Sequence, residues 1–285
     1  MPSSRIVSTC LAVAVLYVAF IAGILRFGID RLAIPASASA YVTPDALTRV
    51  AGSSGNEVLI RRYGKPDLGC VVFFPGQHGN APRYDLRLFR TFTAEGIAVF
   101  ALSYPGQDGA HGRASLAEVA RLSRRAIEPV VAQCQPQRTV FDGRSLGAML
   151  AAYASRNLPI AGVILEGAAP SLHDAVERQM RAHWYTAPLA KLAASGILPH
   201  DYSLAEALAS EPKTPVILLQ GTKDDETPIE ALQTDGTLPR NARLIPVPGG
   251  THSNAYLIEP QAHARLARSM ISVAAARSDG IVERK

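Results

Sequence analysis

Gly143-Arg144-Ser145-Leu146-Gly147 joins the strand-like run Arg138-Thr-Val-Phe-Asp142 to the alanine-rich stretch Ala148–Ser155. This junction narrows the folds open to the chain more than any other feature. Gly-x-Ser-x-Gly between a strand and a helix predicts a sharp turn, because flanking residues without a β-carbon let the backbone reverse tightly around the serine. The Ser145 hydroxyl then stands clear of the backbone at the carboxyl end of a sheet. So short a pattern needs context, since 22 glycines in 285 residues make chance matches easy.

Two later stretches supply that context. Pro215-Val-Ile-Leu-Leu-Gln220 reads as a buried strand that runs into Gly221-Thr-Lys-Asp224, placing a carboxylate just beyond the strand's carboxyl end. Ala242-Arg-Leu-Ile-Pro-Val247 is a second short strand, followed by the glycine-rich loop Pro248-Gly-Gly-Thr-His252. The candidate nucleophile, acid and base are therefore Ser145, Asp224 and His252, each placed after a strand so that one sheet edge gathers them. Asp225 and Glu166 compete with Asp224 as the acid, and Asp224 has a second reading as cap of a helix starting near Pro228. His263, in a terminal helical pattern, competes with His252.

A continuous apolar run, Cys70-Val-Val-Phe-Phe74, ends in the polar loop Pro75-Gly-Gln-His-Gly-Asn80. Together with Gly143–Gly147, Gly221-Thr-Lys-Asp224…Pro228 and Gly249-Gly-Thr-His252, it resembles an α/β-hydrolase of the ABHD-type serine hydrolase group, related to serine aminopeptidase-like folds. The likeness runs from about Val58 to Val273, and the order Ser145, Asp224, His252 is the order of that family's triads. Two departures stand out: Pro75-Gly76-Gln77 where the family loop reads His-Gly-Asn, and serine in Leu102-Ser-Tyr-Pro-Gly106 where relatives carry aspartate. The resemblance implies an oxyanion hole formed by the backbone N–H groups of Gln77 and Leu146.

It also implies a serine hydrolase that cleaves carboxylic esters or thioesters through an acyl-enzyme, on a small-molecule or lipid-like substrate. A serine peptidase and a catalytically silent binding protein of the same fold are the alternatives. A serine nucleophile excludes epoxide and haloalkane hydrolysis, which on this fold use a carboxylate. The chain has neither His-x-x-x-His or Cys-x-x-Cys spacing nor a glycine-rich phosphate loop, so neither metal nor cofactor is expected.

Ile6 to Leu25 is twenty residues without a charge, long enough to cross about 30 Å of hydrocarbon as a helix. A cleaved signal peptide competes with a transmembrane anchor, because Ala36-Ser-Ala38 and Ala38-Ser-Ala40 resemble cleavage sites. The apolar run exceeds the usual signal core, and Arg26, Asp30 and Arg31 separate it from those sites, which favours an anchor at 6–25 followed by a linker at 26–45. Arg5 on one side and Arg26 and Arg31 on the other leave orientation open.

The remainder predicts one α/β domain over 46–280, with a mostly parallel sheet flanked by helices. A small helical cap at about 170–212 carries His183-Trp184-Tyr185. Cys70 and Cys134 precede neighbouring strands, and both a disulfide and two separate buried thiols fit them; a disulfide would place the domain outside the reducing cytosol. The net charge of +5 gathers partly at Arg83, Arg87 and Arg90 and at Arg121, Arg124 and Arg125. These read as solvated helix faces, with contact to anionic lipid as the alternative. No nucleic-acid motif accompanies them.

Overall fold

The computed structural model describes residues 4–37, 44–210, 212–234 and 238–282. Its centre is an eight-stranded sheet: β1 (Ala46–Ala51), β2 (Glu57–Tyr63), β3 (Gly69–Phe74), β4 (Ile97–Ser103), β5 (Thr139–Arg144), β6 (Gly162–Glu166), β7 (Val216–Gly221) and β8 (Ala242–Val247). The order across the sheet is β1-β2-β4-β3-β5-β6-β7-β8. β1, β2 and β4 pair antiparallel, and β4 through β8 run parallel.

The apolar runs in the sequence are continuous because both faces of the sheet are covered. Along β3 the side chains alternate between two cores. Cys70, Val72 and Phe74 pack with the helices Leu116–Cys134 and Leu146–Ser155 on one face. Val71 and Phe73 pack with Phe89, Phe92, Ala267 and Ile271 on the other. Cys70 and Cys134 form a disulfide, which fastens β3 to the end of the helix Leu116–Cys134.

Parallel strands place their carboxyl ends on one side of the sheet. The turn after β5, the loop after β7 and the loop after β8 all open there, which brings residues 145, 224 and 252 to one edge. Leu172, Val176 and Met180 of the helix Leu172–Arg181 face that edge beside residues 145 and 252; the short turns Ala187–Leu192 and Ala193–Ile197 pack on that helix, and the helix Leu204–Ala209 packs on Leu146–Ser155.

The amino-terminal helix differs from the expected anchor and linker. Ser4–Gly23 continues through a π turn, Ile24–Gly28, into Ile29–Ala33, so residues 26–33 prolong the helix instead of opening a linker. The cause is packing: Ile21, Leu25, Ile29 and Ile34 are buried against the domain's main core. Ser37 N donates to the Gly106 carbonyl, closing the segment onto the loop after β4. Residues 38–43, which hold most of the cleavage-like sites, lie outside the described residues. Among the described residues one helix is long and apolar enough to cross a membrane, Arg5–Gly28.

Candidate active site

Ser145 sits between β5 and the helix Leu146–Ser155 with φ 54° and ψ −123°, in the left-handed half of backbone space that a side chain rarely adopts. The strain is held by neighbours. Ser145 N donates to the Glu166 carbonyl at 2.8 Å, and the Ser145 carbonyl accepts from Ala148 N at 2.8 Å. Gly143 and Gly147 are needed for close packing more than for turning. A β-carbon on Gly147 would collide with the carbonyls of Phe74 and Pro75, and one on Gly143 with the Gly147 carbonyl. The missing side chains let the elbow seat against the end of β3.

Three side chains meet there. His252 Nε2 lies 2.9 Å from Ser145 Oγ, and His252 Nδ1 lies 3.0 Å from Asp224 Oδ2. Thr227 completes the acid's surroundings: its N–H donates to Asp224 Oδ1 at 2.8 Å and its hydroxyl to Asp224 Oδ2 at 2.8 Å. Gln220 Nε2 donates to the same carboxylate at 3.2 Å. Burial acts to raise the Asp224 carboxyl, yet the hydrogen bonds from His252 and Thr227 outweigh it and hold it below the ordinary carboxylate range. Gly167, at φ 59°, is where the chain leaves β6, and a β-carbon there would stand 3.2 Å from the His252 ring.

The competing residues are elsewhere. Asp225 is exposed. Glu166 turns to Arg144, which donates from Nε to Oε1 at 3.1 Å, and to His263, whose Nε2 lies 3.1 Å from Oε2. His263 Nδ1 lies 2.9 Å from Asp142 Oδ2. With both ring nitrogens facing carboxylates, His263 has no lone pair to offer Ser145. His78 lines the cavity above Ser145, and His111 is exposed.

The buried His263, Asp142 and Glu166 and the partly buried Arg144 make a closed set of two basic and two acidic side chains. Sequence patterns do not mark it, although Asp142 and Arg144 flank the glycine of the elbow. Arg144 reaches furthest: it also bonds Tyr84 Oη at 3.1 Å, donates to the His252 carbonyl, and stacks its guanidinium 5.1 Å from the Tyr256 ring. The neighbour of the candidate nucleophile thus holds the loop of the candidate base.

The charge state of this set links to stability. Burial acts to lower the His263 imidazole, but Asp142 and Glu166 overcome it and lift the group to about 10. Its folded value lies above the unfolded value of 6.5, so its stabilisation is complete below about pH 6.5 and is lost as pH rises through about 10. The melting temperature should therefore fall as pH rises from 6.5 to 10, and His263→Gln should flatten that slope. Equal slopes for the two proteins by calorimetry would show that His263 is not charged in the fold.

A cavity of about 800 Å³ opens above Ser145. Leu146 and Gln77, the expected oxyanion donors, both line it. Leu146 opens a helix, so its N–H lacks an intrahelical acceptor. Gln77 is fixed by its carbonyl, which accepts from Gln107 Nε2 at 2.7 Å, and by its side chain, which donates to the Leu32 carbonyl at 2.6 Å. The segment 170–212 contributes Leu172, Val176, Met180, His183 and Tyr185, whereas Trp184 is 86% exposed. The amino-terminal helix contributes Tyr17, Ile21, Leu25 and Ile29 among others. Thr227 and these helix residues are the parts of the site that sequence reasoning misses; for Thr227 the available signal is its position three residues after Asp224, the spacing of a local side-chain turn.

No protein-family model matches the chain. No curated protein matches it either. Solved structures do. An alpha-beta hydrolase from Vibrio vulnificus is 16% identical with TM-score 0.65, over 78% of this chain and 80% of that one. An esterase from Pyrococcus furiosus is 14% identical with TM-score 0.63, over 84% and 98%. A monoacylglycerol lipase from Paleococcus ferrophilus is 18% identical with TM-score 0.52, over 79% and 99%. At such identities the likeness shows architecture: the chain has the α/β-hydrolase fold, with a mostly parallel sheet flanked by helices.

Proposed function

We propose that this chain is a membrane-anchored serine hydrolase of the ABHD type that cleaves carboxylic esters or thioesters of small-molecule or lipid-like acyl donors. The observation that carries the reading is the unbroken hydrogen-bonded line Ser145–His252–Asp224 beneath a largely apolar cavity. In this reading His252 Nε2 takes the proton as Ser145 Oγ attacks the acyl carbon. Asp224, with its charge stabilised by Thr227, keeps Nδ1 protonated and steadies the imidazolium. The backbone N–H groups of Gln77 and Leu146 receive the oxyanion, a contribution worth about 10²–10³ in rate per donor. The leaving group takes the proton from His252, and water, activated by the same base, releases the acyl group.

The names of the Pyrococcus furiosus and Paleococcus ferrophilus proteins, an esterase and a lipase, agree with ester chemistry on this fold. The Cys70–Cys134 disulfide favours a catalytic domain outside the reducing cytosol. One experiment tests the chemistry and the location together. Membranes from cells expressing the full chain, washed with alkaline carbonate and treated with a fluorophosphonate probe, should retain the protein with its amino-terminal sequence and with the label on Ser145. An unlabelled protein ends the serine reading. A labelled soluble chain beginning at Ser39 or Tyr41 replaces the anchored enzyme with a secreted one.

A further inference from the structure

The amino-terminal helix builds part of the cavity. Tyr17 Oη donates to the Tyr185 carbonyl in the cap, and from there Ile21, Leu25 and Ile29 recur every fourth residue along one face, buried and lining the space above Ser145. Before Tyr17 the helix is exposed to its surroundings, Leu11, Val13 and Leu16 included. Arg5–Leu16 is about 12 residues, or about 18 Å at 1.5 Å each. That length falls short of the roughly 30 Å hydrocarbon core. A spanning helix must therefore draw on residues beyond Tyr17, which carries the rim of the cavity, where Phe20 is 64% exposed, to hydrocarbon depth.

We propose that the helix is the outer wall of an acyl-binding pocket that opens sideways into the bilayer, and that a lipid ester enters between helix and cap with its tail against Ile21, Ile24 and Leu25. This rests on the serine-hydrolase reading and adds its substrate class. The chemistry of the lining favours a tail over a charged peptide: among the described residues the titratable side chains that line it are Glu226, three histidines and two tyrosines, with no lysine or arginine among them. The opening is continuous with the exposed apolar face of a helix that is itself a candidate span.

The test uses the full chain in phosphatidylcholine nanodiscs with p-nitrophenyl acetate and p-nitrophenyl decanoate. Ile24→Gln and Phe20→Gln, both on the helix wall, should lower kcat/KM for decanoate by at least about tenfold while acetate changes by less than about twofold, because only the long chain reaches the wall. Ile24→Trp keeps the helix apolar and fills the pocket, so it should show the same split. Equal loss on both esters, or no loss on either, overturns the proposal. A photoreactive monoacylglycerol in the same discs should crosslink within residues 17–33; crosslinks confined to the cap also overturn it. Failure of the unmodified chain to take a fluorophosphonate at Ser145 strikes the serine reading instead, so the two failures are distinguishable.

Discussion

Ser145→Ala and His252→Ala should each lower kcat for a short p-nitrophenyl ester by about 10⁶, whereas Asp224→Asn should cost about 10⁴. The order follows from the geometry. Ser145 Oγ and His252 Nε2, 2.9 Å apart, are the two atoms between which the proposed proton transfer occurs. Asp224 acts one step away, and Thr227, whose hydroxyl also lies 3.2 Å from His252 Nδ1, partly keeps the ring in place without it. Because the three act as a unit, the double variant Ser145→Ala/His252→Ala should be no worse than either single one. Asp225→Asn, on an exposed side chain, should stay within about twofold of the parent. Near-normal turnover by Ser145→Ala would end the serine reading, and a severe loss in Asp225→Asn would mean that the acid is misassigned.

Replacing both Cys70 and Cys134 with alanine should lower stability by about 4 kcal/mol on the chain-entropy account of a long closed loop. The two residues are 64 positions apart in the sequence, and the bond between them removes many extended states from the unfolded chain. For a domain of this size the loss corresponds to a melting temperature lower by roughly 10 °C. Differential scanning calorimetry of the double variant and of the reduced parent checks it. A drop of less than about 1 kcal/mol in both would show that packing of β3 against the helix already fixes this contact.

How much of this was open to sequence reasoning depends on the range of the forces involved. Strands β3, β5, β7 and β8 are legible because each is a short, largely apolar run that ends at a glycine or a polar loop, and alternation with helical stretches implies parallel pairing. Ser145, Asp224 and His252 are legible as loop residues beyond such strands. Their convergence depends only on strand order. Arg144 is different: nothing local tells that it reaches the His252 carbonyl 108 residues away. The same holds for Ile21, Leu25 and Ile29, whose apolar character fits a lipid-facing helix as well as a cavity wall. Hydrophobicity says that a face must be covered and does not say by what. The pairing of His263 with Asp142 and Glu166 is hidden for a related reason, since charges scattered over the sequence look like surface until the fold buries them.

The backbone at Ser145 sets stability against function. At φ 54° and ψ −123° a residue with a β-carbon is strained by about 1–3 kcal/mol, and glycine is not. A chain selected only for a firmer fold would drift to glycine at this position and lose its hydroxyl. Persistence of serine there would mark a chain under selection for chemistry, and in a set of natural variants the stable outliers at position 145 would be the ones that had abandoned it.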